Sequence, residues 1–147
     1  MTRPISTAVE IDAPPSVVWD ELSCLETHVE WMADAVALEF HTEQRRGVGT
    51  AFSCATKIGP LRTTDEMTID RWDEGTAIGV THRGAVTGSG VFELAPRGDS
   101  ATSLTWTERL VFPFWMGGAL GAFVARPAFR WIWKRNLERL RSRVTDR

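Results

Sequence analysis

The sequence predicts an α+β fold in which a curved, seven-stranded antiparallel sheet is closed by a long C-terminal helix. Seven strand-like runs are joined mostly by short turns, which favours antiparallel neighbours. Two short helical stretches separate the first run from the second, and the last third of the chain has a helical period. Because an apolar helix stripe must be buried, we expect the long helix to pack on one face of the sheet.

The first elements have clear boundaries. Residues 5–12 alternate between apolar and polar side chains, as a half-buried strand does, and Ala13-Pro14-Pro15 ends this run. Pro15 suits the first turn of a helix, and a second helical turn is predicted over residues 26–32. The apolar residues of the first helix recur at helical spacing: Val17, Val18, Leu22 and Leu25.

Six further strands and one long helix complete the prediction. The strands are expected at 35–42, 49–58, 61–71, 76–82, 88–95 and 101–111. After Phe112-Pro113 the apolar residues step by three or four, which indicates one stripe of an amphipathic helix. Its members are Ala122, Ala125, Phe129, Trp133, Leu137, Leu140 and Val144. We expect Pro127 to kink this helix or to mark its beginning.

Composition limits the kinds of function. A chain of 147 residues, 43% hydrophobic and 24% charged, suits a single globular domain over 1–147. The net charge of −2 gives the whole chain no strong attraction to nucleic acid, although residues 126–147 contain eight basic and two acidic residues. Two cysteines thirty residues apart and an N-terminus without an apolar leader favour a cytoplasmic location.

Three stretches resemble the START-like, or helix-grip, superfamily (SRPBCC), in particular its polyketide cyclase/dehydrase and lipid-transport branch. They are Ile11-Asp12-Ala13-Pro14-Pro15-Ser16-Val17-Val18-Trp19, the Trp31-Met32 pair, and Arg126-Pro127 with Asn136-Leu137-Glu138-Arg139-Leu140. The resemblance implies a helix-grip fold, in which the sheet wraps the C-terminal helix and leaves an internal cavity for a ligand. The architecture serves carriers, sensors and enzymes alike, so the fold alone does not define the function.

Strand alternation sorts the side chains by face, and the apolar sets should point at the helix. They either fill the core or line a cavity, and the resemblance favours the cavity. The candidate ligand-binding residues are Trp31, Phe52, Cys54, Met67, Ile69, Val80, His82, Phe92, Trp106, Glu108, Ala122, Arg126, Phe129 and Trp133.

Two ionisable residues, His82 and Glu108, fall within these inward sets. A buried carboxylate needs a partner or a proton, and Arg126 at the start of the helix stripe is the predicted partner of Glu108. A structural Glu108–Arg126 pair is the preferred interpretation, with a catalytic Glu108 as the alternative. His82 lies beside Arg83-Gly84, so we expect an exposed residue at a strand end. If it faces the cavity instead, it is the best general acid or base in the chain.

The patterns of other sites are missing from the sequence. Ser89 has no GxSxG context, Gly47-Val48-Gly49 lacks the rest of a dinucleotide loop, and the three histidines have no metal-ligand spacing. We therefore expect no cofactor and no metal. The apolar segment 112–131 is a candidate for a homodimer interface, a cavity lid or a peripheral membrane contact.

The predicted function is binding or transport of a small hydrophobic ligand, such as a polyketide, lipid or isoprenoid-like molecule. The alternative is an aromatase/cyclase or dehydratase that uses the same cavity, with Glu108 or His82 moving protons. A dense inward cluster of acid–base residues is missing from the pattern, and the chain has no tyrosine. A third hypothesis is a protein-interaction module that docks through the segment 112–131.

Overall fold

The computed structural model describes residues 3–146. Its seven strands form one antiparallel sheet in the order β1-β7-β6-β5-β4-β3-β2. They are β1 (Ile5–Ile11), β2 (Ala35–Phe40), β3 (Ala51–Ile58), β4 (Leu61–Asp73), β5 (Ala77–Arg83), β6 (Thr87–Arg97) and β7 (Ala101–Val111). From β2 to β7 each strand pairs with the next one in the chain, whereas β1 pairs with β7 and so lies at the edge opposite β2.

The helices follow the predicted order. Helix α1 (Pro15–Leu22), a 3-10 turn (Leu25–Thr27) and α2 (His28–Trp31) carry the chain from β1 to β2 at the other edge of the sheet. A second 3-10 turn (Phe114–Met116) precedes the long helix α3 (Gly118–Thr145). This element order confirms the predicted α+β helix-grip fold, with strand ends that differ from prediction by a few residues. No helix within residues 3–146 is long and apolar enough to cross a bilayer.

Helix α3 buries most of the predicted stripe, although Ala125 and Phe129 are only half-buried. Leu137 and Leu140 are completely buried, and Trp133 and Val144 nearly so. The buried Asn136 lies on the same side of the helix, where its side-chain oxygen accepts from the Ala33 N–H at 3.1 Å. Its side-chain amide also donates to Oδ1 of Asp34 at 2.7 Å. These bonds hold the second half of α3 against the loop between α2 and β2.

Pro127 lies within α3 and does not mark its beginning, because the helix starts nine residues earlier at Gly118. Proline has no N–H, so the carbonyl of Phe123, four residues earlier, receives no helical hydrogen bond from this position. Phe123 and Pro127 are both exposed, so this side of the helix faces water, which can donate to the carbonyl of Phe123 in place of the missing N–H.

Candidate ligand-binding cavity

A cavity of about 160 Å³ lies between the inner face of the sheet and helices α2 and α3. Alternate residues of β3 to β7 point into it, as period-2 strand geometry requires. Most of its wall is apolar, and aromatic rings form the side next to α3. Trp133 stacks between Trp106 and Phe129, with ring centroids 5.2 Å and 5.3 Å away, and Phe92 lies 4.8 Å from Trp106. The sheet and the helix therefore enclose a space instead of filling it completely.

A group of polar side chains interrupts the apolar wall. Nε2 of His82 lies 3.2 Å from Oε2 of Glu108, and both side chains are buried. The indole N–H of Trp106 donates to Oε1 of the same carboxyl at 3.2 Å. Nδ1 of His82 lies 3.3 Å from the Val86 carbonyl, so a protonated imidazole has an acceptor at each nitrogen. Asp65 also lines the cavity. We call Asp65, His82 and Glu108 the polar cluster.

Glycines leave the space that the polar cluster occupies. Gly90 pairs directly with Glu108 across the β6–β7 ladder, and a Cβ atom there would lie 2.6 Å from Oε1 of Glu108. A Cβ atom on Gly84 would lie 1.8 Å from Oδ1 of Asp65. Such distances are far below ordinary contact, so a larger residue at either position would displace the carboxyl group. The polar cluster therefore depends on glycine at both positions.

The surroundings alter the protonation of the polar cluster. Burial alone would lower the pKa of His82, but the hydrogen bond and charge of Glu108, helped by the Val86 carbonyl and Asp65, raise it above its usual value. Burial raises the pKa of Asp65, which the charge of His82 opposes and that of Glu108 reinforces. Oδ1 of Asp65 is buried without a hydrogen-bond partner among the described residues. The cluster therefore favours a protonated His82 imidazole, and burial favours the protonated form of the Asp65 carboxyl group.

Two other titratable groups in the wall behave as part of the apolar surface. Burial lowers the pKa of His28, whose Nε2 lies 2.7 Å from the Leu22 carbonyl, so this imidazole stays neutral and ties α2 to the end of α1. Burial raises the pKa of the Cys54 thiol to about 11, and the thiol therefore remains protonated at neutral pH. Neither group supplies a charge to a ligand.

Eleven of the fourteen candidate residues line this one cavity. They are Phe52, Cys54, Met67, Ile69, Val80, His82, Phe92, Trp106, Glu108, Phe129 and Trp133. Trp31 is instead completely buried behind the wall, where it contacts Phe92 and Trp106 edge-on. Ala122 and Arg126 line a separate cavity of about 210 Å³, between the first half of α3 and the ends of β1 and β7.

The predicted Glu108–Arg126 pair is wrong. Arg126 donates to the carbonyls of Arg3 at 2.7 Å and Pro4 at 3.1 Å, and so holds α3 to the chain before β1. It cannot serve Glu108 as well, because the Glu108 carboxyl is held by His82 and Trp106. Opposite charge suggests this pair, but it does not specify whether Arg126 on α3 lies opposite Glu108 on β7.

The expected exposure of His82 is also wrong, since only 6% of this residue is exposed. Strand β5 continues through Arg83, and His82 pairs with Met67 on one side and Gly88 on the other. It is therefore an interior residue of the sheet. Its side chain points to the same face as those of Ile78 and Val80, as the alternation indicates.

Asp65 was not among the candidate residues. It shares a face of β4 with Met67 and Ile69, both assigned inward, and lies two residues before Met67. Extending that alternation back along the strand would have placed Asp65 in the wall. Its proximity to His82 and Glu108 depends on the strand order, which local sequence does not contain. Within the described residues no group of three His, Cys, Asp or Glu side chains is arranged to hold a metal ion.

The fold and the enclosed apolar cavity are those of a helix-grip protein. Residues 2–145 match the family described as polyketide cyclase/dehydrase and lipid transport, and the chain belongs to this family. No curated protein matches the sequence significantly.

Solved structures agree in fold at low identity. The Zhui aromatase/cyclase from a Streptomyces species has a TM-score of 0.76 and 18% identity, with 97% of this chain and 93% of that chain covered. A START superfamily protein from Mycobacterium smegmatis has a TM-score of 0.76 and 14% identity, covering 97% of both chains. A protein from Thermus thermophilus has a TM-score of 0.74 and 19% identity, covering 98% of both. The TM-scores show that these proteins share the fold of this chain despite the low identities.

Proposed function

We propose that this protein binds or carries a small, mainly apolar molecule that has one polar group. The apolar cavity wall, interrupted by the polar cluster, supports this proposal. Burial of apolar ligand surface supplies affinity, and a few polar groups fix orientation. The Asp65 carboxyl group, whose Oδ1 has no hydrogen-bond partner among the described residues, can accept a hydrogen bond and, when protonated, can also donate one. The cluster therefore suits a hydroxyl or carbonyl group. The family description, which includes lipid transport, supports the same class of ligand.

The cavity volume limits the size of the ligand. An engineered apolar cavity of about 150 Å³ in another protein holds benzene, and the present cavity has about 160 Å³. A ligand of one or two fused rings, or a short acyl or isoprenoid chain, matches this space. A long acyl chain would require the sheet and α3 to separate.

Because Cys24 and Cys54 are both free thiols, we further propose that the protein acts in the reducing cytoplasm.

Titration with naphthalene and 2-naphthol tests this proposal, with quenching of tryptophan emission as the signal, because Trp106 and Trp133 line the cavity. We expect saturable binding at one site, with 2-naphthol bound more tightly because its hydroxyl group reaches the polar cluster. Val80→Trp should weaken binding at least about tenfold, since the added ring occupies the space of the ligand. Val91→Trp is the matched control, because its side chain points to the opposite face of the sheet. Absence of saturable binding to the folded protein would contradict the proposal.

The His82–Glu108 pair favours acid–base catalysis as a second candidate function. A buried imidazole hydrogen-bonded to a carboxylate can take a proton from a carbon next to a carbonyl and return it to another atom of the same substrate. Cyclisation and dehydration of polyketones both need such transfers, and one solved structure of the same fold is named an aromatase/cyclase.

Exchange of the acidic C–H protons of a small cyclic 1,3-diketone with deuterium distinguishes catalysis from binding alone. If the pair is catalytic, the protein accelerates exchange, and His82→Gln slows that acceleration by about 10²–10⁴. If the diketone binds in the cavity but exchanges its protons no faster than it does in buffer without protein, the protein binds its ligand without catalysis.

A further inference from the structure

The 3-10 turn at 114–116 and the first half of α3 present large apolar side chains to solvent. The exposed fraction is 97% for Phe114, 72% for Trp115 and Leu120, 66% for Phe123, 70% for Val124 and 62% for Trp131. We call these six residues the apolar face. The four helical members recur at spacings of three, one and seven residues, which keeps them on one side of α3. That side faces away from Trp133 and Leu140, which pack into the core.

Positive charges outnumber negative ones at the end of the sheet that carries the apolar face. In the antiparallel sheet the start of β1, the β3–β4 turn, the β5–β6 turn and the end of β7 lie at the same end, where α3 begins. The start of β2 lies at this end too and brings Asp34, while Asp65 and Glu108 of the polar cluster lie just inside it. The segments 3–9, 57–62, 83–89 and 109–130 at this end together contain seven Arg or Lys residues. These cations are Arg3, Lys57, Arg62, Arg83, Arg109, Arg126 and Arg130.

The acidic residues of the turns lie at the opposite end of the sheet. Asp73 and Glu74 belong to the β4–β5 turn, and Asp99 to the β6–β7 turn. Arg46, Arg71 and Arg97 lie at that opposite end too, in ion pairs with Glu74, Asp73 and Glu10. The opposite end is therefore of mixed charge, whereas cations predominate at the end that carries the apolar face. The apolar face adds an aromatic–cation contact of its own, because the guanidinium of Arg135 lies 5.2 Å from the ring centroid of Trp131.

We propose that the apolar face docks on the surface of an anionic lipid bilayer. Exposed Trp, Phe and Leu side chains insert at the boundary between headgroups and acyl chains, and surrounding Arg and Lys side chains attract anionic headgroups. A second copy of the chain seated face to face would bring two sets of like charges together, which opposes association. The charge distribution thus favours a membrane over a symmetric dimer. This proposal is independent of the ligand in the cavity.

Sedimentation of the full chain with vesicles tests the proposal. We expect binding to phosphatidylcholine vesicles that contain phosphatidylglycerol, weaker binding to phosphatidylcholine alone, and loss of binding as salt is added. The double variant Phe114→Ser/Trp115→Ser should reduce binding at least about tenfold, because it removes two inserting rings. Val48→Ser is the control, because Val48 is 61% exposed and precedes β3 at the opposite end of the sheet. All three proteins should have similar melting temperatures.

A second pair of variants tests the charge. Arg130→Gln should weaken binding to the anionic vesicles about fivefold, the effect of one cation near such a surface. Arg141 is exposed in the second half of α3, away from the apolar face, so Arg141→Gln should weaken vesicle binding less. Lack of binding to anionic vesicles, or equal losses in the face and control variants, would overturn the proposal. Concentration-dependent self-association that Phe114→Ser/Trp115→Ser abolishes, without vesicle binding, would assign the face to a second copy instead.

Discussion

Nε2 of His82 lies 3.2 Å from Oε2 of Glu108 inside a mainly apolar cavity. Removing one partner of such a pair leaves the other group buried and unpaired, which is costly. The pair forms because the central strands β5 and β7 flank β6, whose glycines at 88 and 90 leave room for both side chains. Because the pair raises the pKa of His82, its strength depends on pH.

The pKa values of His82 and His28 should differ from the usual imidazole value in opposite directions. Both start from a usual value of 6.5; the Glu108 carboxylate outweighs burial and raises the pKa of His82, whereas burial lowers that of His28. NMR of the ring protons across pH 5 to 9 measures both values. In Glu108→Gln the pKa of His82 should fall, because burial is then no longer outweighed. An unchanged His82 titration in that variant would show that the carboxylate does not hold the imidazole.

The same pair predicts how stability depends on pH. Because the pKa of His82 is raised in the folded state, the pair's stabilisation is fully present below pH 6.5 and is lost as pH rises through the folded-state pKa. The difference in free energy of unfolding between the wild type and His82→Gln should therefore shrink as pH increases. Urea unfolding at a series of pH values measures this difference. A difference that grows with pH would contradict the assigned direction.

The periodic parts of the fold were predictable from sequence, and the partners of the charged residues were not. Alternation assigned Phe52, Met67 and Trp106 to the inner face, and the helical period assigned Leu137 and Leu140 to the buried stripe; in each case the structure agrees. These assignments need only local geometry. The pairing of Glu108 needs the order of strands and the position of α3 along the sheet, which are long-range properties. Arg126 was therefore assigned to the wrong acceptor.

Gly90→Ala should disrupt the polar cluster, although it adds only one methyl group. The new Cβ atom would lie 2.6 Å from Oε1 of Glu108, so the carboxyl must move away from Trp106 or His82. We expect a loss of about 1–3 kcal/mol in the free energy of unfolding, typical of overpacking, and a lower pKa of His82. Ser89→Ala is the control, because Ser89 is exposed on the outer face of the same strand. Equal stability of the two variants would show that the glycine is not required.

The helical register of α3 can be tested by Leu140→Ala and Arg141→Ala. Leu140 is completely buried against the core, whereas the neighbouring Arg141 is exposed. Leu140→Ala should lower the free energy of unfolding by about 2–5 kcal/mol, because it opens a cavity in the core. Arg141→Ala should change it by less than about 0.5 kcal/mol, as is usual for surface substitutions. Thermal or urea unfolding of the two variants measures both, and similar losses would mean that a different side of α3 faces the sheet.

The most direct test of the ligand-binding proposal is to locate the side chains that a bound ligand contacts. Intermolecular nuclear Overhauser effects between 2-naphthol and methyl-labelled protein locate the ring against individual side chains. We predict contacts with Ile78, Val80 and Leu110, whose side chains line the cavity, and none with the outward-facing Val91. Contacts confined to Leu120 and Val124, on the exposed side of α3, would place the ligand on the surface and contradict the account.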